Sequence, residues 1–300
     1  MTTLTLPNNE RFKLPTSELL LLLVAIFWGT SYGLTKSALV YTSVLSFLIL
    51  RFTTTFLCML PIVIRDFRHG KNRDWPVTIP TGLLLAAIFF CEVFGVSKTS
   101  ASNAAFLISL SLIFTALLEL LITKQSVSKS LLALVSTSVI GVALLTEIVS
   151  SKFSFNQGDM IILGGAMLRA LMTILTKRVV DTKQVTTATL TAFQSLTVAL
   201  VALFVALIFN STQPFHIPTA PHFWLTLAYL VICCTLCAFY IQNHALRKTT
   251  PTRVALLMGS EPLFGALFAA IWLQEWLSLT QMIGAGLILM SVVLTSLIKR

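Results

Sequence analysis

The chain has 300 residues, of which 56% are hydrophobic and only 11% charged. A soluble domain carries about 25% charged residues, so this composition excludes a chain that keeps its whole surface in water. The net charge of +10 does not indicate nucleic-acid binding. The basic residues sit in short segments between apolar runs, where they act as orientation signals.

Runs of the roughly 20 apolar residues needed to cross a bilayer recur along the chain, and no stretch between them is long enough to fold alone. Met1–Ser17 is polar, and the run after it is longer than the about 7–15 apolar residues of a cleavable signal, so it reads as the first permanent span. The expected spans are Glu18–Ala38, Ser43–Ile64, Thr78–Ser97, Ala101–Thr123 and Ser130–Thr146, then Asp159–Lys177, Thr186–Phe209, His222–His244, Arg253–Gln274 and Ser278–Ile298. The expected fold class is therefore an all-α membrane protein of ten transmembrane helices. With the N-terminus in the cytoplasm, only Lys36, Lys98 and Lys152 of the 21 Lys and Arg fall outside, and only Arg51 and Arg169 fall within spans. The other 16 lie inside, which predicts that both termini are cytoplasmic.

The sequence also repeats itself. Ile113–Ser128 aligns without gaps on Leu263–Ser278, and Leu-Thr-Lys at 34–36 recurs at 175–177. This predicts two five-span halves, 18–147 and 159–300, joined by an external linker at 148–158 and preceded by a cytoplasmic segment at 1–17. An odd number of spans inserts the second half upside down relative to the first. Such inverted repeats typify secondary transporters, with the substrate at the repeat interface near the midplane.

At this point a family resemblance becomes specific. Trp28-Gly29 lies in the first span, Leu50-Arg51-Phe52 in the second and Lys98–Phe106 at the entry of the fourth, with Glu261-Pro262-Leu263-Phe264 and Glu275 around the ninth. Together these resemble the ten-span EamA-type branch of the drug/metabolite transporter superfamily. The first half departs from its own repeat, with Leu112 opposite Pro262 and Gln125 opposite Glu275. The resemblance implies export of small metabolites, amino acids or drugs, commonly by proton exchange. It also implies that spans one to four and six to nine surround the pathway, with the fifth and tenth outside.

Ionisable residues inside a bilayer are costly, and so are either paired or functional. They fall at Arg51, Glu92, Glu119, Arg169 and Glu261. Arg169 is expected near the midplane, with Gly165, Ala166 and Thr173 on its face, and it corresponds in the repeat to Trp28. Either it contacts an anionic or zwitterionic substrate opposite Trp28, or it is a structural partner of Glu261. Arg51 and Glu92 share the outer third of the membrane and could pair. Alternatively Glu92 stands alone among Phe89, Phe90 and Phe94, where desolvation would suit it to carry a proton. Glu119, one turn from Lys124, is expected to snorkel to the boundary. Pro262 is expected to kink the ninth span. The Gly29/Gly33 pair is expected in a close helix contact. Cys233, Cys237, Tyr240 and His244 form one face of the eighth span that could line the pathway. The candidate substrate set is Trp28, Tyr32, Arg169, Thr173 and Tyr240, and the candidate proton carriers are Glu92 and Glu261.

No metal or other cofactor is expected, since Cys234-x-x-Cys237 lacks a second ligand pair. The expected partners are a small-molecule substrate, the lipid bilayer and a proton gradient, in a bacterial cytoplasmic membrane. An exchanger of phosphorylated metabolites or nucleotide sugars also fits ten spans but needs several cations in its cavity. A membrane-embedded enzyme would need clustered His, Asp or Cys. A receptor or scaffold would have less reason to keep charges at mid-depth.

Overall fold

The structure is a computed structural model and describes residues 16–99, 101–123, 128–147, 156–208, 217–273 and 277–297. Most of segment 1–17 and of linker 148–158, together with Gln125 and Glu275, lies outside the described residues. Every described element is helical, as runs without water to satisfy their backbone must be. The first half comprises α1 (Thr16–Ala38), α2 (Val44–Arg68), α3 (Thr78–Lys98), α4 (Ala101–Ser109), α5 (Ser111–Leu118), a π-helical turn (Glu119–Thr123) and α6 (Lys129–Leu145). The second comprises α7 (Gln157–Thr182), α8 (Thr187–Ile208), α9 (Pro221–Val231), a π-helical turn (Ile232–Cys237), α10 (Ala238–Leu246), α11 (Pro251–Met258), α12 (Glu261–Leu273) and α13 (Leu279–Leu297).

Joined end to end, α4 with α5, α9 with α10 and α11 with α12 make single rods, giving ten rods among the described residues. Eight are long and apolar enough to cross a membrane. The other two are the 17-residue α6 and the interrupted α11–α12 rod. The interruption falls at Gly259-Ser260, with Pro262 in the first turn of α12, where a missing N–H costs nothing. The first half breaks at Leu110, the repeat-equivalent position, although it has Leu112 where α12 has proline. Proline is therefore not what interrupts these rods. Ser109 and Ser260 each donate their hydroxyl to a carbonyl three residues back, a local bond that competes with the helical ladder.

The packing obeys a pseudo-twofold between the halves. α1 lies on α12, while its counterpart α7 lies on α4 and α5; α3 lies on α7, while α1 lies on α9 and α10. The self-paired contacts are α2 on α8 and α6 on α13, as an inverted repeat requires. Glycines allow two of these crossings. A Cβ on Gly29 would lie 2.6 Å from the Glu261 carbonyl oxygen of α12, and one on Gly284 of α13 would lie 2.5 Å from that of Gly141 in α6. Gly33 has open space around it, so the expected small-residue contact involves Gly29 and not Gly33.

Acids at the first turns of the two halves take equivalent places. Glu18 opens α1 and accepts two N–H bonds from Arg253 of α11 through its Oε1, at 2.7 and 3.1 Å. Asp159, its repeat counterpart on α7, closes a capping box with Asn156 and accepts from the Thr99 hydroxyl at 2.6 Å. Each negative charge lies where the helix N-terminus favours it, and each ties its span to another rod. Glu119 corrects the snorkelling expectation. It is buried, and its Oε2 accepts from the Thr252 backbone N at 2.8 Å and the Thr252 hydroxyl at 2.5 Å. Free N–H groups at the start of α11 need acceptors, and Glu119 supplies one from across the bundle.

Candidate functional site

α1 and α7 are repeat counterparts, and each carries its key side chain about halfway along: Trp28 is the 13th residue of 23, and Arg169 the 13th of 26. The pseudo-twofold brings them face to face, with the guanidinium carbon 4.4 Å from the centroid of the indole ring. This cation–π contact forms one side of a cluster of charges. Arg169 Nη2 donates to Glu261 Oε2 at 3.0 Å, and its Nη1 lies 3.9 Å from Glu92 Oε1. Glu261 reaches this point because it opens α12 beside the break, at the crossing with Gly29. Glu92 comes from α3, which packs along α7 with Gly165 against Cys91.

These groups border a cavity of about 750 Å³, including its open mouth. Trp28, Tyr32, Glu92, Arg169, Thr173 and Glu261 all line it, and Thr176, Phe89, Phe239, Gln242 and Asn243 complete much of the wall. The lining comes from α1, α2, α3, α7 and α10 together with Glu261, so both halves contribute while α6 and α13 stand outside. A second space of about 400 Å³ is lined by Ser109, Ser111, Thr115, Val254 and Met258. Arg169, Thr173, Gln242 and Glu261 border both, so the Arg169–Glu261 pair stands in the wall between them.

The π-helical turn of the eighth rod holds much of this wall. A π turn leaves carbonyls off the regular ladder, and here the Cys234 carbonyl accepts the Trp28 indole N–H at 2.7 Å. Cys234 in turn donates its thiol to the Phe27 carbonyl at 3.2 Å. Thr235 bonds back five residues to Leu230 and accepts from Arg51 Nε at 2.8 Å. The pairing of Arg169 with Glu261, one of the two sequence alternatives, is thus present, and Arg169 also stacks directly on Trp28 in the cavity wall.

Two placements depart from expectation. Glu92 and Arg51 are not within ion-pair distance; Glu92 faces Arg169 instead, because α3 packs far more closely on α7 than on α2. Tyr240 does not reach the cavity and is 43% exposed on the outer face of the bundle. A tyrosine, apolar along its ring and polar at its tip, tolerates a lipid-facing position. Carboxamides do not, so Gln242 and Asn243 take the inner face in its place. Asn243 Nδ2 donates to the Thr191 hydroxyl of α8 at 3.0 Å. Sequence reasoning missed this amide pair, although two adjacent carboxamides inside an apolar run were a visible signal. It also missed Thr235, which had none.

Comparisons with known proteins agree with this architecture. The profile of the EamA-like transporter family matches twice, over residues 15–147 and 156–297. An uncharacterized transporter of Archaeoglobus fulgidus is 28% identical over 290 residues, covering 93% of this chain and 97% of that one. A Bacillus subtilis protein, also named an uncharacterized transporter, is 25% identical over 291 residues and covers 93% and 92%. A protein of known crystal structure shares the fold with a TM-score of 0.77 at 16% identity, covering 94% of this chain and 96% of that one.

Proposed function

The chain belongs to the EamA-like transporter family, and from that premise we propose that it exports small molecules across a bacterial cytoplasmic membrane in exchange for protons. The halves at 18–147 and 159–300 work as the two inverted repeats, with both termini in the cytoplasm. One observation carries the reading: a single guanidinium, Arg169, lies between two carboxylates in the wall of a cavity built by both halves.

Substrate binds against Trp28, Tyr32 and Thr173, beside Arg169. Glu261 holds Arg169 by a direct hydrogen bond, whereas Glu92 faces it at 3.9 Å without one. A proton on Glu92 releases Arg169 from that carboxylate, and substrate that restores the Arg169–Glu92 contact expels the proton, so the two bind in alternation, as exchange requires. Breaking the Arg169–Glu261 pair would join the two spaces it separates, which gives alternating access a physical gate. A phosphorylated metabolite or nucleotide sugar brings at least two negative charges. Only Arg51 and Arg169 line the cavity with positive charge among the described residues, and Arg169 is already between two carboxylates, which leaves too little for such a ligand.

The test uses proteoliposomes with a trapped pH dye, challenged in turn with neutral, cationic and carboxylate solutes. At least one class should move protons with wild-type protein. Glu92→Gln should still exchange that solute but no longer move the proton. Full gradient-driven transport by both Glu92→Gln and Glu261→Gln, at normal protein levels, overturns the coupling.

A further inference from the structure

Arg51 is the second cation of the cavity, and nothing in the exchange cycle above uses it. It lies on α2, is 3% exposed and lines the same cavity as Glu92 and Trp28. Its guanidinium carbon is 5.2 Å from the Phe89 ring centroid, 5.6 Å from that of Phe52 and 5.9 Å from that of Phe47. Its Nε donates to the Thr235 hydroxyl at 2.8 Å. Among the described residues its two terminal nitrogens have no acceptor, and no carboxylate lies within 4 Å.

A buried guanidinium with only a hydroxyl and aromatic rings around it lacks the counter-charge that buried ions normally have. With Nε held by Thr235, the free edge is the pair of terminal nitrogens, the planar fork that matches a carboxylate in two parallel bonds. The rings beside it supply an apolar wall for the rest of such a ligand. We infer that Arg51 and Thr235 form a carboxylate subsite of this cavity, which receives the acid group of an organic monocarboxylate with an apolar body. The charges agree: both carboxylates of the cavity, Glu92 and Glu261, lie at Arg169, which leaves Arg51 as the cation available to an anionic ligand. The assignment deepens the transport reading and rests on this cavity being the one that takes substrate.

Binding is measured separately from transport, by thermal unfolding of the purified protein in detergent. The probes are short monocarboxylates from acetate to phenylacetate, each beside its own amide, with sodium chloride as the inorganic control. At least one acid should raise the wild-type melting temperature by about 3 °C or more where its amide gives under about 1 °C. Arg51→Met should erase the difference between acid and amide, and Arg51→Lys should keep part of it. Thr235→Val removes only the hydroxyl that aims the fork. It should weaken acid binding at least about 5-fold without changing amide binding, and it serves if Arg51→Met does not fold. Equal shifts for every acid and its amide, no shift for any acid, a chloride shift equal to that of the acids, or unchanged discrimination in the variants overturns the subsite. Acid-selective binding without proton-linked flux overturns the transport reading alone, and flux without acid selectivity overturns the subsite alone.

Discussion

Replacing Arg169 by methionine removes a charge that two carboxylates share, and the structure sets the size of the effect. The Arg169 side chain is 14% exposed and that of Glu261 5%, and their bond is 3.0 Å long. Removing one partner of so buried a pair leaves an uncompensated charge and costs about 3–5 kcal/mol. Loss of the stacking on Trp28, 4.4 Å away, adds up to about 2 kcal/mol. At about 2–4 °C per kcal/mol for a large domain, Arg169→Met should lower the apparent melting temperature in detergent by about 6–28 °C. Adding Glu261→Gln removes the hydrogen-bonded one of the two stranded carboxylates and should restore much of the loss, though not the parts owed to Glu92 and Trp28. The assay is thermal unfolding with gel filtration of both variants, beside transport of a carboxylate and of a neutral solute. If Arg169→Met melts within about 2 °C of wild type, the pair is not structural. If Glu261→Gln restores nothing, the loss does not arise from a stranded Glu261. Recovery of stability together with carboxylate transport in the double variant would show that Arg169 positions the cavity without touching substrate.

Gly29→Ala forces a Cβ to within 2.6 Å of the Glu261 carbonyl and should destabilise by about 1–3 kcal/mol, while Gly33→Ala, which meets nothing, should melt as wild type does. Glu119→Ala leaves the Thr252 backbone N–H without its acceptor and should cost about 1–3 kcal/mol; a snorkelling glutamate would show no change on the same melting curve. Reporter fusions after Thr3 and after Arg300 should both register in the cytoplasm, and an external signal from either removes the topology on which the inverted-repeat argument depends.

The sequence by itself determined the class of the protein and the plan of its halves. Apolar runs long enough to cross a bilayer can only be helices there, so composition carried the fold class. The aligned segments before Ser128 and Ser278 carried the repeat, and an odd number of spans per half carried its inversion. The second match, Leu-Thr-Lys at 34–36 and 175–177, put Arg169 opposite Trp28, a long-range contact readable because symmetry replaces the missing distance information. Partners that symmetry does not relate were decided by tertiary structure alone. Glu92 faces Arg169 and not Arg51 because α3 packs along α7, and equal depth in the membrane says nothing about which rods are neighbours. Glu119 turns inward because the start of α11 offers it a backbone N–H, which hydropathy does not register. Tyr240 faces outward because the amides beside it have the stronger claim on the interior. The Arg51–Thr235 bond needs a π-helical turn, whose extra residue leaves no mark in periodicity. Spacing along a chain reports which face and which depth a residue occupies; only the packing of the rods reports what stands across from it.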